Sequence, residues 1–353
     1  MKKMISMIAA AALGLSLLTG CSSASQNTAE TTSASQAEET NEETTEEVKE
    51  ENAEAPVIRV TGLKGPTTMG LVKLMEDSKQ GATENSYEFT MVTAADELTA
   101  MVAGGKTDIA LLPANVSSVL FNKLQGGVTV IDINTLGVLY LVSSDTSVET
   151  PEQLKGKTVY LTGKGTSPEY VLRYLLSAAG LEENDVTLEF KSEPSEVASV
   201  LAENPEAIGL LPQPFVTSAL AQNDRLSIRM DLTKVWDEFQ KDGNGSRLVT
   251  GVTIVNTEFL KEHSDLVDRF LEDHKASIEF TAEDPETAAS LIEATGIVPK
   301  AAIAKKALPY CNLTFLSGEE MEAALSGYLN VLYKQNPASV GGTLPADDFY
   351  YIP

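Results

Sequence analysis

The chain repeats itself at an offset of 99 residues. Glu97-Leu98, Met101-Val102 and Ile109-Ala110-Leu111-Leu112-Pro113 correspond to Glu196-Val197, Val200-Leu201 and Ile208-Gly209-Leu210-Leu211-Pro212. In each copy, apolar residues at i, i+3 and i+4 mark an amphipathic helix that leads through a short turn into a buried strand. The strand ends at a proline and a second helix follows, over residues 115–124 or 214–222. Proline loses nothing there, because the first N–H groups of a helix have no intrahelical partner. Any two α/β units share an outline. Here residue identity and gap length agree together, which predicts two lobes of like construction.

The surrounding pattern supports an α/β fold. Apolar runs predict strands over 57–62, 87–92, 128–133, 137–144, 158–162, 186–190 and 249–256. Helices are expected over 67–77 and over 167–179, the latter stopped by Gly180. Thr150-Pro151 caps a short helix, and Gly243-Asn244-Gly245 is a turn signal. From Thr257 the pattern is nearly all helix, up to the aromatic tail Phe349-Tyr350-Tyr351. Strands alternating with helices call for mainly parallel sheets flanked by helices. Residues 145–250 contain a complete α/β unit and form the second lobe. Residues 56–144 and 251–353 then form the first, with crossings near 143–145 and 250–252. A clamshell of this kind binds its ligand between lobes and closes on it.

The N-terminal 21 residues have a basic head at Lys2-Lys3, an apolar run, and small residues leading to Leu18-Thr19-Gly20-Cys21. This is the build of a secretory signal, too short and wrongly flanked to span a membrane. The cysteine at its end resembles a bacterial lipoprotein signal, which makes Cys21 the acylated N-terminus of the mature chain, held in a lipid bilayer. Residues 22–55 are mostly Glu, Thr, Ser, Ala and Gln, with ten Glu against Lys49, no aromatic residue and Val48 as the one aliphatic residue larger than Ala. Such a segment cannot bury enough apolar surface to offset its ordering entropy and is expected to be disordered. As a coil it spans roughly 30 Å, a leash between anchor and body.

Charge and cysteine content exclude several functions. Of the net charge of −25, the signal contributes +2 and the leash −9, leaving −18 on residues 56–353. Nucleic-acid binding needs a basic footprint, so it is not expected. A small anionic ligand stays open, because local donors set a buried site. Beyond Cys21 only Cys311 remains, so there is no disulfide framework and no metal-ligand spacing. His263 and His274, eleven apart, read as solvated histidines on one helical face. The glycines of Gly163-Lys164-Gly165 lack the third of a dinucleotide fingerprint, and no phosphate-loop or nucleophile-elbow motif occurs. No catalytic residue, metal or cofactor is expected.

In an open α/β sheet the ligand lies beyond the C-terminal ends of the strands, where helix N-termini point. Four junctions fit. Gly62-Leu63-Lys64-Gly65-Pro66-Thr67-Thr68 and Gly163-Lys164-Gly165-Thr166-Ser167-Pro168 combine glycines, which admit a ligand to the backbone, with hydroxyls that cap a helix or bind the ligand. Ser167 suits the N-cap and Pro168 the first helical position. Leu112-Pro113-Ala114-Asn115 and Leu211-Pro212-Gln213-Pro214 are the others. Each helix end offers an anion ~0.3–2 kcal/mol, and charge-assisted hydrogen bonds add about 1.5–3 kcal/mol each.

The runs Leu154-Lys155-Gly156-Lys157-Thr158-Val159, Gly165-Thr166-Ser167-Pro168-Glu169-Tyr170-Val171-Leu172-Arg173 and Ala179-Gly180-Leu181 resemble the second-lobe signature of substrate-binding lipoproteins of ABC importers. The branch is the nitrate, sulfonate, taurine and thiamine-precursor (NMT1/THI5-like, SsuA-like) group. The resemblance implies a two-lobed type II periplasmic-binding-protein fold. It also implies capture of a small solute in the inter-lobe cleft and delivery to a membrane permease and its ATPase by a monomer outside the cytoplasm, on a Gram-positive surface. Carried over by position, Lys64, Gly65, Thr67, Thr68, Asn115, Gly165, Thr166, Ser167 and Gln213 line the cleft. Gln213 stands where the family often has a carboxylate, and Pro168-Glu169 replace a usual Ser-His. Loss of a carboxylate favours an anionic or neutral solute. Two other functions fit the scaffold: an enzyme like the dehydratase and pyrimidine synthase of related folds, or a sensor ectodomain.

Overall fold

In the computed structural model, which describes residues 56–353 except 205 and 241–245, the two repeat copies lie in different sheets. Cys21, the acidic segment 22–55 and the Gly243–Gly245 turn fall outside the described residues. The chain begins with β1 (Ile58–Leu63), α1 (Pro66–Met69), α2 (Val72–Lys79) and β2 (Tyr87–Val92). The first copy follows as α3 (Ala95–Ala103), β3 (Ile109–Pro113) and α4 (Ala114–Lys123), then β4 (Val128–Leu136). Next come β5 (Leu139–Ser143), β6 (Thr158–Leu161), α5 (Ser167–Ala178) and β7 (Thr187–Phe190). The second copy is α6 (Pro194–Glu203), β8 (Ile208–Pro212) and α7 (Phe215–Gln222), followed by β9 (Ser227–Asp231) and α8 (Leu232–Phe239). The return comprises β10 (Val249–Asn256), α9 (Thr257–Glu262), α10 (Ser264–Glu283), α11 (Pro285–Ala294), α12 (Ala301–Ala307), β11 (Leu313–Leu316) and α13 (Gly318–Gln335).

The first sheet has the order β11-β4-β10-β3-β1-β2 and the second β7-β6-β8-β5-β9. Both are mixed rather than mainly parallel. β1 pairs parallel with β2 and β3, and β6 with β7 and β8. β10 runs antiparallel between β3 and β4, as β5 does between β8 and β9. β5 and β10 therefore hold matching places in the two sheets. Both are fully apolar apart from Ser143, Thr250, Thr253 and the terminal Asn256, as strands covered on both faces must be. This moves the first crossing. A boundary at 144/145 leaves β5 with the first lobe, whereas its pairing puts it in the second sheet, so the chain crosses at Gly137-Val138. The return lies between β9 and β10.

One apolar cluster extends across both sheets, from Leu112, Ile133 and Val252 through Leu139, Leu161 and Leu175 to Trp236, Tyr328 and Leu332. Trp236 on α8 packs between the tilted rings of Tyr174 on α5 (centroids 4.8 Å apart) and Tyr328 on α13 (5.5 Å). Each such side chain removed from water contributes about 1.5–3 kcal/mol, so the sheets share a core rather than touching at a rim.

Three local expectations are corrected. His274 is not solvated: it is fully buried on the apolar face of α10, and its Nδ1 lies 3.0 Å from Asp132 Oδ2 on β4. Asp132 Oδ1 accepts a further hydrogen bond from Thr253 Oγ1 at 2.8 Å, so the buried carboxyl group has partners on two elements. The nearly all-helical C-terminal third also contains β11, a four-residue strand on the edge of the first sheet whose residues are all half-buried. Finally, the helix expected over 67–77 is broken at Gly70-Leu71 into α1 and α2. Among the described residues no helix is long and apolar enough to cross a membrane.

Candidate functional site

The C-terminal ends of the strands in the two sheets face a common cleft, with a cavity of about 310 Å³. Drug-sized ligand sites begin near this volume, so a small solute fits. The first sheet contributes Leu63 to Thr67 after β1, Thr93 to Asp96 after β2, Pro113 after β3, and Thr250 on β10. The second contributes Thr162, Gly163, Lys164 and Thr166 to Pro168 after β6, Lys191, Ser192 and Pro194 after β7, Pro212 and Phe215 around the β8–α7 turn, and Leu139 on β5. Prolines and short apolar side chains make up much of the wall. The polar groups are hydroxyls, three lysines and Asp96.

Of the expected site residues, Lys64, Gly65, Thr67, Thr166 and Ser167 line this cleft. The others belong to its support. Thr68 is buried, and its Oγ1 donates to Leu63 O at 2.6 Å, tying α1 to the strand it follows. Gln213 is also buried, and its Oε1 accepts from Thr217 N at 3.2 Å and Thr217 Oγ1 at 2.8 Å, which caps α7. Gly165 (φ 74°) turns the β6–α5 loop, and its N–H donates to Glu169 Oε2 at 2.7 Å. Only glycine adopts that backbone without strain.

Asn115 is fully buried at the start of α4 and joins the two halves. Its Nδ2 donates to Gly165 O at 3.3 Å and to Ser339 O at 3.0 Å, while Oδ1 accepts from Ser167 Oγ at 3.3 Å. The first repeat copy thus grips the glycine loop of the opposite sheet. Thr166, not Ser167, holds the N-cap position of α5, and its Oγ1 donates backwards to Gly163 O at 2.7 Å.

The β2–α3 and β7–α6 junctions were missed. The repeat could have found them, since Ala95 and Pro194 open equivalent helices and stand 99 residues apart. Gly251 is a second missed feature: a Cβ there would stand 2.4 Å from Thr67 Cγ2 and 2.6 Å from Asn134 Oδ1, so its absence lets α1 rest on the sheet.

The lining carries Lys64, Lys164 and Lys191 against Asp96. Lys164 Nζ lies 5.8 Å from the centre of the Phe190 ring, and Lys191 Nζ lies 5.3 Å from that of Tyr160 and 3.6 Å from Glu189. Among the described residues neither Lys64 nor Lys164 has an ion-pair partner. No histidine or cysteine is part of the described lining, and the described residues hold no group of three that could ligate a metal.

The NMT1/THI5-like family profile matches residues 88–288, more than half of the chain. The chain belongs to the NMT1/THI5-like family. No curated protein sequence matches it significantly. Solved structures resemble this NMT1/THI5-like chain at low identity. An ABC transporter structure from Parabacteroides distasonis is 24% identical, with 85% of this chain and 99% of that one covered at a TM-score of 0.69. The periplasmic aliphatic sulphonate binding protein SsuA from Escherichia coli is 16% identical, with coverages of 85% and 93% and a TM-score of 0.67. The alkanesulfonate-binding protein SsuA from Xanthomonas axonopodis pv. citri, bound to MOPS, is 15% identical, with coverages of 83% and 96% and a TM-score of 0.63. The chain shares with them the two-lobed periplasmic-binding-protein fold.

Proposed function

We propose that this protein is the solute-binding component of an ABC importer, capturing a small anionic or neutral organic solute between two lobes built on the two sheets. The observation that carries this reading is the cleft itself: six strand-to-helix junctions, three from each sheet, converge on one cavity of about 310 Å³. Its wall combines apolar surface, hydroxyls, three lysines and Asp96, and the described lining has no histidine or cysteine to act as base or nucleophile, which suits capture rather than turnover. The crossings at Gly137-Val138 and between β9 and β10 serve as the hinge. Acylated Cys21 holds the body to the cell membrane through the acidic leash, outside the cytoplasm on a Gram-positive surface, and the monomer delivers its solute to a permease and ATPase.

The test is thermal unfolding of the purified full chain against a metabolite collection. A solute at 100 times its dissociation constant adds about 2.7 kcal/mol to the folded state, a rise of several degrees in midpoint for a body of this size. A flat response across sulfonates, carboxylates, pyrimidines and vitamins contradicts the reading.

A further inference from the structure

Resting on the solute-binding reading, we propose that Glu169 closes the start of α5 to anions, so that the solute presents an uncharged hydrogen-bonding group there. That group is a carbonyl, hydroxyl or amide rather than a sulfonate, phosphate or carboxylate. A helix N-terminus binds an anion only if its N–H groups are unpaired and aimed at the ligand. Here they are already spent. The Gly165 N–H donates to Glu169 Oε2 at 2.7 Å, the Thr166 N–H to Gly163 O at 3.0 Å, and the Glu169 N–H to Thr166 O at 3.1 Å. Pro168 has no N–H at all. The hydroxyls follow suit, Thr166 Oγ1 donating to Gly163 O and Ser167 Oγ to Asn115 Oδ1. Within the first turn of α5 this leaves, among the described residues, the Ser167 N–H, one donor where an anion needs several.

Charge points the same way. Glu169 is 8% exposed, and its carboxylate sits in the first turn of α5, where it neutralises the positive end of the helix. Its Oε1 accepts from Arg173 Nε at 2.8 Å, and Arg173 is shared with Glu183 at 3.4 Å, so two carboxylates face one guanidinium. This cluster lines a groove behind α5 and not the cleft, so a solute cannot displace Glu169 by competing for Arg173 from the cleft side. Any negative group on the solute is left to the lysines of the lining. Pro168 and Glu169 together therefore set specificity: one removes a donor, the other occupies one and adds a negative charge.

The test follows the Gly165 and Ser167 amide signals of the isotopically labelled full chain by NMR during titration with sulfate and with ethanesulfonate. In the native protein neither signal moves saturably. In Glu169→Ala, which frees the Gly165 N–H and removes the charge, both move saturably over a concentration range in which the native signals do not. Glu169→Gln keeps an oxygen for Gly165 but loses the charge, and shows a smaller gain in a side chain of the same shape. Saturable anion binding at these amides in the native protein overturns the proposal, as does a folded Glu169→Ala or Glu169→Gln protein that gains none. A failed metabolite screen alongside the expected titrations removes the transport reading and leaves the closure of α5 standing. A stabilising solute whose sulfonate or carboxylate shifts the native Gly165 and Ser167 signals does the opposite.

Discussion

Asn115 illustrates how one side chain holds the cleft in shape. It is inaccessible to solvent and joins α4, the β6–α5 loop and the C-terminal segment around Ser339 with a single amide. Truncation leaves the Gly165 and Ser339 carbonyls and the Ser167 hydroxyl without their partner in a buried setting, each worth about 1–3 kcal/mol if it stays unsatisfied. Asn115→Ala is therefore expected to lower unfolding stability by about 1–3 kcal/mol, because relaxation and water recover part of the loss. A denaturant titration with an unchanged m-value measures this. A loss below 0.5 kcal/mol, the scale of an ordinary surface substitution, contradicts the bridging role. The sequence placed Asn115 at a strand-to-helix junction, and the family resemblance marked it as a cleft residue. Its partners were not legible, since Gly165 and Ser339 are 50 and 224 residues away. His274 shows the same limit. Its helix looks charged and solvated, and only the fold brings Asp132 against it.

At the scale of elements, strands and helices with strong patterns were legible almost to the residue. β2 and β10 have the expected bounds, 87–92 and 249–256: β2 alternates apolar and polar residues as a strand covered on one face does, and β10 is a mostly buried run rich in valine. β11 was not, since four half-buried residues with no alternation give no periodic signal. The break between α1 and α2 was also hidden. α1 is short because it must fit against β10, where Gly251 leaves room for Thr67. Gly251→Ala drives a methyl into Thr67 and Asn134, and overpacking of this kind costs about 1–3 kcal/mol. Because Thr67 lines the cleft, the substitution is also expected to weaken solute binding by more than it would if the effect were on stability alone. Isothermal titration at a temperature where the variant is fully folded separates the two. Native affinity in the folded variant contradicts the role given to α1.

At the scale of the whole molecule, the repeat made the two-sheet architecture legible, and the sheets match strand for strand from β2/β7 to β4/β9. What escaped was the place of β5. β5 and β10 hold matching antiparallel places in the two sheets, and each joins the sheet opposite to that of the strand before it, β4 or β9; the return of β10 to the first sheet was expected and the crossing of β5 was not. Local pattern carries no information about which sheet a buried strand joins. The cluster around Trp236 and Tyr328 then couples the halves at one side of the cleft, so solute has to be held between loops whose backs are firmly packed. The most direct measurement is hydrogen exchange of the full chain with and without a solute that raises its unfolding temperature. Solute held in the cleft is predicted to slow exchange in residues 63–68 and 162–169 together, one segment from each sheet. Stabilisation with protection confined to one of these segments, or located elsewhere, contradicts binding between the lobes.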